Sequence, residues 1–208
     1  MARSSASAPS RMLVLASASP RRRELLAAAG IPVIVHAAEV DETPHPGEEA
    51  RAYVLRLAEA KARAAAAGAP RADLPLLAAD TTVVLDGELL GKPADDAEAA
   101  SMLRRLSGRI HEVWTGLCLL WPAAAQGERP LVLAADCTRV WFVPLEEAEI
   151  AAYVASGEPQ GKAGAYAIQG RAGQFIPRIE GSYSNVVGLP LALLRDLLRA
   201  RPAAERRP

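Results

Sequence analysis

Aromatic side chains are scarce in this chain: Phe, Trp and Tyr make up 4% of its 208 residues, although half of all residues are hydrophobic. The apolar content therefore rests on aliphatic side chains and alanine. Trp114, Trp121 and Trp141 fall in strand-like runs, where a core role fits better than a platform for stacking bases. Net charge is missing too. The 24 basic and 24 acidic residues cancel to zero, so no global basic field draws in nucleic acid and any anion site must be local. Cysteine is limited to Cys118 and Cys137, which lack metal-ligand spacing and read as two buried, reduced thiols. His36, His45 and His111 share no spacing with Cys or with one another, which argues against a histidine metal site. No stretch approaches the ~18 apolar residues of a membrane span. Met1 to Ala18 loosely resembles a secretory signal, but its apolar part is short and runs into a strand and turn that cleavage would destroy. P-loop, GxGxxG and nucleophile-elbow patterns are absent. These exclusions leave a cytoplasmic protein with no membrane and no stable nucleic-acid partner.

What is there is an alternation of strand and helix patterns. Met12–Ala16 and Ile31–Val35 read as strands around a helix that opens at Pro20 and ends at Gly30. An acidic loop, 37–47, leads to a long helix over 48–67 in which Val54, Leu57, Ala58 and Lys61 keep helical spacing. Leu76–Ala79 is an apolar strand ending in Asp80. Val83–Leu85 continues to a hairpin signal at Asp86-Gly87. Further helices are expected over 95–106, 146–156 and 190–199, with long strands over 113–121 and 131–143 and a Gly-rich, irregular segment over 165–188. With no internal repeat and no linker, one α/β domain over 11–200 is expected. It is flanked by a disordered tail, 1–10, and a charged tail, 201–208.

Several residues can carry chemistry. Ser17-Ala-Ser19-Pro20 turns the chain into a helix whose first turn holds Arg21, Arg22 and Arg23. The helix dipole favours negative charge there, so cations beside free N–H groups and two hydroxyls read either as an anion site or as a solvated basic cluster. Asp80 sits where α/β sheets place ligands, or it simply starts a turn with Thr81 and Thr82. Lys61 lies on the apolar stripe of its helix, where it either snorkels to water or pairs with a phosphate or with Asp80. Proline fixes the turn at Gly91-Lys92-Pro93 and aims Lys92. Glu39, Asp41 and Glu42 offer oxygen ligands for a hard divalent cation, or only a solubilising loop. Gln169, in Tyr166-Ala167-Ile168-Gln169-Gly170, carries the paired donor and acceptor that can read a base edge.

In this order the blocks resemble the Maf family of nucleoside triphosphate pyrophosphatases. The resemblance spans about Met12 to Leu198, through Leu15-Ala-Ser-Ala-Ser-Pro-Arg-Arg22, Val40-Asp41-Glu42, Glu59-Ala60-Lys61-Ala62, Ala78-Ala79-Asp80-Thr81, Gly91-Lys92-Pro93, Lys162 to Tyr166, Ile168-Gln169-Gly170 and Val187 to Pro190. It implies an α/β fold related to inosine triphosphate pyrophosphatases, with a mixed sheet around a central cleft between two lobes, often a homodimer. It also implies a divalent cation, Mg²⁺ or Mn²⁺, and a nucleoside triphosphate substrate split into monophosphate and pyrophosphate. Asp80 then resembles the family's proton acceptor. Arg21, Thr81 and Gln169 resemble its base-selecting positions, Ser17, Ser19, Arg22, Lys61 and Lys92 its phosphate contacts, and Glu42 its metal ligand. Asp80-Thr81 with Ile168-Gln169-Gly170 is similar to the branch acting on dTTP and UTP. Two alternatives are the branch acting on 7-methyl-GTP and a non-enzymatic regulator of septum formation that acts through a protein partner. Ala167, where the branch usually has Gly, and Asp41, where Glu is usual, depart from the pattern.

Overall fold

The computed structural model describes residues 12–123 and 129–200. The expected tails, residues 1–10 and 201–208, lie outside the described residues, as does part of the loop expected around 122–130. Seven strands form one mixed sheet in the order β2-β1-β3-β5-β6-β7: β2 is Val33–Val35, β1 Leu13–Leu15, β3 Leu76–Leu85, β5 Ile110–Leu120, β6 Leu131–Trp141 and β7 Arg178–Glu180. The seventh, β4 (Glu88–Leu90), folds back on the end of β3 through the Asp86-Gly87 hairpin. Both central residues of that turn have positive φ, 54° and 82°, the conformation that an Asp-Gly pair adopts readily.

The sheet forks along β3. Its first residues pair in parallel with β1, at Leu76 and Leu77, and its last pair with β4, at Val83 to Leu85. Residues 78–82 have a ladder partner on the β5 side only. Asp80 therefore lies in the middle of a ten-residue strand, not at a strand end as the sequence suggests. The polar pair Thr81-Thr82 does not break the strand, because β5 continues the ladder without interruption from Leu76 to Val84.

Strand alternation then sorts side chains onto two faces. Leu13, Leu15, Leu77 and Ala79 pack with Leu26 of α1 (Pro20–Ala28) and with Leu194 and Leu198 of α6 (Leu191–Arg199). Val14, Ala16, Leu76 and Ala78 meet Ala58, Ala62 and Ala65 of α2 (Ala50–Ala66) on the other face. Small side chains let α2 approach closely: a Cβ on Gly116 of β5 would fall 2.4 Å from the Val54 carbonyl oxygen. A second lobe packs α3 (Asp96–Leu106) and α4 (Glu147–Val154) over Val83, Val113, Val140 and Phe142.

Several expectations need correction. β5 starts at Ile110 rather than Val113, because His111 faces inward and its Nε2 lies 2.8 Å from the Tyr166 hydroxyl. The irregular 165–188 segment contains a short helix, α5 (Tyr183–Val187), capped by the Ser182 hydroxyl and closed by Gly188 at φ 119°. Of the three tryptophans only Trp121 is in the core. Trp141 is half-buried between the guanidinium groups of Arg139 and Arg178. Both cysteines are free thiols; Cys118 is buried but Cys137 only half-buried. Burial pushes both up to about 12.

Candidate active site

A cleft of about 730 Å³ opens at the fork, and the ten residues to which the family resemblance gives a role line it: Ser17, Ser19, Arg21, Arg22, Glu42, Lys61, Asp80, Thr81, Lys92 and Gln169. Because Asp80 and Thr81 are neighbours in one strand, they project to opposite faces. Asp80 follows Leu76 and Ala78 toward α2, and Thr81 follows Leu77 and Ala79 toward α1.

On the α2 side Lys61 joins two carboxylates. Its Nζ donates to Asp80 Oδ1 and to Glu42 Oε1, each at 2.6 Å, with the Lys61 side chain 11% exposed and that of Asp80 9%. Of the two sequence readings, Lys61 takes the paired one. Lys92 reaches the other Glu42 oxygen at 2.7 Å. Burial raises the Glu42 pKa, but the hydrogen bonds and charges of the two lysines outweigh it and hold the carboxyl at about 2. The loop that carries Glu42 is tied to α2: the Tyr53 hydroxyl donates to the Glu42 carbonyl at 2.9 Å, and Arg56 bridges Glu48 and the Thr43 carbonyl. Asp41 points elsewhere and caps the Thr43 N–H at 2.9 Å, outside the cleft lining.

On the α1 side the arginines divide. Arg22 donates through Nε to the Gly188 carbonyl at 2.8 Å, through Nη1 to Ser17 Oγ at 3.1 Å and through Nη2 to Thr81 Oγ1 at 3.0 Å. Three of its five N–H groups are thus used, and two remain for an anion. Burial lowers its pKa and the Asp80 charge opposes that, and a guanidinium stays charged in either case. Arg21 lines the cleft and Arg23 is exposed to solvent. Ser19 is the N-cap residue of α1, but its side chain makes no capping bond, so its hydroxyl is available at the cleft wall. Ser17 Oγ instead accepts from the Ser19 N–H at 3.2 Å. The first turn of α1 holds no acidic residue. A stability optimum would place one there, and its replacement by arginines suits an anion arriving from outside.

Gln169 is exposed at the far rim, on a loop held by Glu158. That carboxylate accepts from the Tyr153 hydroxyl at 2.8 Å and the Arg171 N–H at 3.1 Å, and Tyr153 in turn accepts from the Ala167 N–H at 3.1 Å. Glu39 and Lys162 also line the cleft. Sequence reading found Glu39 only as part of an acidic loop and assigned Lys162 no role. Burial, and after it the Arg21 charge, lowers the Lys162 pKa. The signal for Lys162 lay in its glycine-flanked run, Gly161-Lys162-Ala163-Gly164.

Among the described residues no group of three or more His, Cys, Asp or Glu side chains is arranged to hold a metal ion. Glu42 and Asp80 do bring two oxygen-donor carboxylates to one wall beside Lys61. That set fits a hard cation of the kind that takes one or two carboxylates and fills its shell with phosphate oxygens and water.

Comparison with known proteins gives this geometry a family. The Maf-like protein family profile matches residues 12–201. Proteins named dTTP/UTP pyrophosphatase are similar over most of their length. The Myxococcus xanthus protein is 57% identical over 86% of this chain and 87% of its own. One from an Anaeromyxobacter species is 56% identical over 90% and 88%, and the Yersinia pestis protein 52% over 89% and 91%. Among solved structures, the Staphylococcus aureus Ham1 protein shares the fold, with a TM-score of 0.52 over 90% of this chain and 98% of that one, at 15% identity. The chain belongs to the Maf family.

Proposed function

We propose that this Maf-family chain hydrolyses dTTP and UTP to the monophosphate and pyrophosphate, with a divalent cation. The relatives' activity supports the substrate class. The observation that carries the chemistry is the buried Asp80 carboxylate, held by Lys61 in a cleft whose opposite wall offers free donors of Arg22 and the start of α1. In this reading the triphosphate lies across the fork. Its oxygens meet the Ser17–Arg22 turn, the third N–H of Lys61 and the ammonium of Lys92. Water attacks the α-phosphorus, the bond from that phosphorus to the bridging oxygen breaks, and pyrophosphate leaves. Asp80 accepts the proton that the attacking water loses. Positioning by the fixed guanidinium and ammonium groups supplies much of the acceleration. Glu42, with substrate oxygens, would hold Mg²⁺ or Mn²⁺, which neutralises charge developing on the leaving pyrophosphate. Arg21, Thr81 and Gln169 surround the base.

The test is pyrophosphate release from a panel of dTTP, UTP, CTP, ATP, GTP and 7-methyl-GTP, with Mg²⁺, with Mn²⁺ and with chelator. The reading expects dTTP and UTP to lead by about tenfold or more in kcat/KM, a margin that hydrogen-bonded selection can exceed, and expects chelator to abolish turnover. A lead for 7-methyl-GTP overturns the substrate, and turnover that survives chelation overturns the metal. The same reading includes a cytoplasmic setting, supported by the two free thiols. It also includes a homodimer, supported by the edge of β6, where β7 pairs with Arg139–Trp141 alone. Light scattering at micromolar concentration tests the dimer.

A further inference from the structure

Thr115 has no place in the reading above. It is fully buried on β5, directly opposite Thr81 of β3 in the antiparallel ladder, and the two hydroxyl oxygens lie 2.9 Å apart. Behind it stands the main-chain carbonyl of Asn185, 3.2 Å from Thr115 Oγ1. That carbonyl is fixed in place. The buried Asn185 amide donates to the Val113 carbonyl at 2.9 Å and to Thr138 Oγ1 at 3.0 Å, which pins α5 against the sheet.

The bond directions follow from counting donors and acceptors. A carbonyl only accepts, and a guanidinium only donates. Arg22 Nη2 therefore uses one lone pair of Thr81 Oγ1. If the Thr115 hydroxyl donates to Asn185, its oxygen is left to accept from Thr81, and both hydroxyl protons are placed at good distances. If instead Thr115 donates to Thr81, the Thr81 proton is left with the Gly188 carbonyl at 3.5 Å, an oxygen that already accepts Arg22 Nε. The first arrangement makes one more good hydrogen bond, and such a difference settles the direction of a buried pair. Thr81, which lines the cleft, then gives its proton inward and keeps one lone pair unused by the protein.

We propose that Thr115 is a specificity-determining positioning residue: it fixes Thr81 as a hydrogen-bond acceptor, so that the site selects bases with an N–H at ring position 3. Uracil and thymine carry a donor there and cytosine carries an acceptor. The inference rests on the dTTP/UTP reading and deepens it.

The experiment compares kcat/KM for UTP and CTP in the wild-type enzyme and in Thr115→Val and Thr115→Ser variants. Loss of the hydroxyl in Thr115→Val leaves the Thr81 proton with no partner better than the Gly188 carbonyl at 3.5 Å, so that it can donate to cytosine instead. The UTP-to-CTP ratio is expected to fall by about tenfold or more, and Thr115→Ser to keep it within about threefold of wild type. A folded Thr115→Val enzyme that loses activity on both nucleotides equally, with its ratio unchanged, overturns the inference and leaves the activity intact. A measurement that needs no variant uses UTP methylated at N3 with wild-type enzyme. A loss of about tenfold or more relative to UTP supports the acceptor assignment, and equal hydrolysis overturns it. A wild-type enzyme inactive on both UTP and dTTP overturns the substrate reading and this inference with it.

Discussion

The two walls of the cleft differ more than their shared strand suggests. On the α2 side Asp80, Lys61, Glu42 and Lys92 form a chain of full charges. On the α1 side the Arg22 guanidinium is embedded in neutral groups: the Ser17 and Thr81 hydroxyls and the Gly188 carbonyl. One residue step in β3 separates them. The alternation of a strand thus gives the cleft two unlike walls, and in the proposed reading Asp80 serves bond breaking from one face while Thr81 serves base selection from the other.

That division can be broken one wall at a time. The largest effect is expected from Asp80→Asn, which keeps shape but cannot accept a proton as a carboxylate does. Turnover of dTTP should fall about 10³-fold, within the range for a lost general base, while nucleotide binding by calorimetry persists. Next is Lys61→Met. It leaves the buried Asp80 carboxylate without its paired cation, while Glu42 keeps Lys92, so urea unfolding should report a loss of about 3 kcal/mol and kcat should drop with it. Gly116→Ala follows. Its new Cβ would meet the α2 backbone at Val54, and overpacking of this kind costs about 1–3 kcal/mol. It would also lift Lys61 away from Asp80, so activity on all nucleotides should fall together, with base selectivity unmoved.

The smallest effect is the pH response of Glu42. Its carboxyl is held at about 2 against an ordinary value of 4.5. A depressed pKa means that its stabilisation is present in full above about 4.5 and is lost as pH falls toward 2. Thermal melts over that window should show Lys92→Met losing less stability on acidification than wild type, because the variant has less of this stabilisation to lose. An equal loss would show that Lys92 does not hold Glu42.

Much of the first wall was legible in the sequence. Lys61 on an apolar stripe is costly unless paired, and the structure pairs it with Asp80 as one of the two readings foresaw. The α1 turn also announced itself, since three arginines against the helix dipole need a reason. Local pattern could not show that β3 runs unbroken through Asp80, because the continuity comes from its ladder with β5, a non-local contact. The same limit hid Thr115. A threonine inside an apolar strand looks like any strand residue until register sets it opposite Thr81. Glu158 and Tyr153, which hold the Gln169 loop, were invisible for the same reason: their loop partners sit 13 and 14 residues away.

The central claim is that water attacks the α-phosphorus at Asp80. Single-turnover hydrolysis of dTTP in ¹⁸O-labelled water, followed by mass spectrometry of both products, tests it directly. The account predicts one labelled oxygen in the dTMP and none in the pyrophosphate. Label in the pyrophosphate, or release of inorganic phosphate and dTDP, would contradict it.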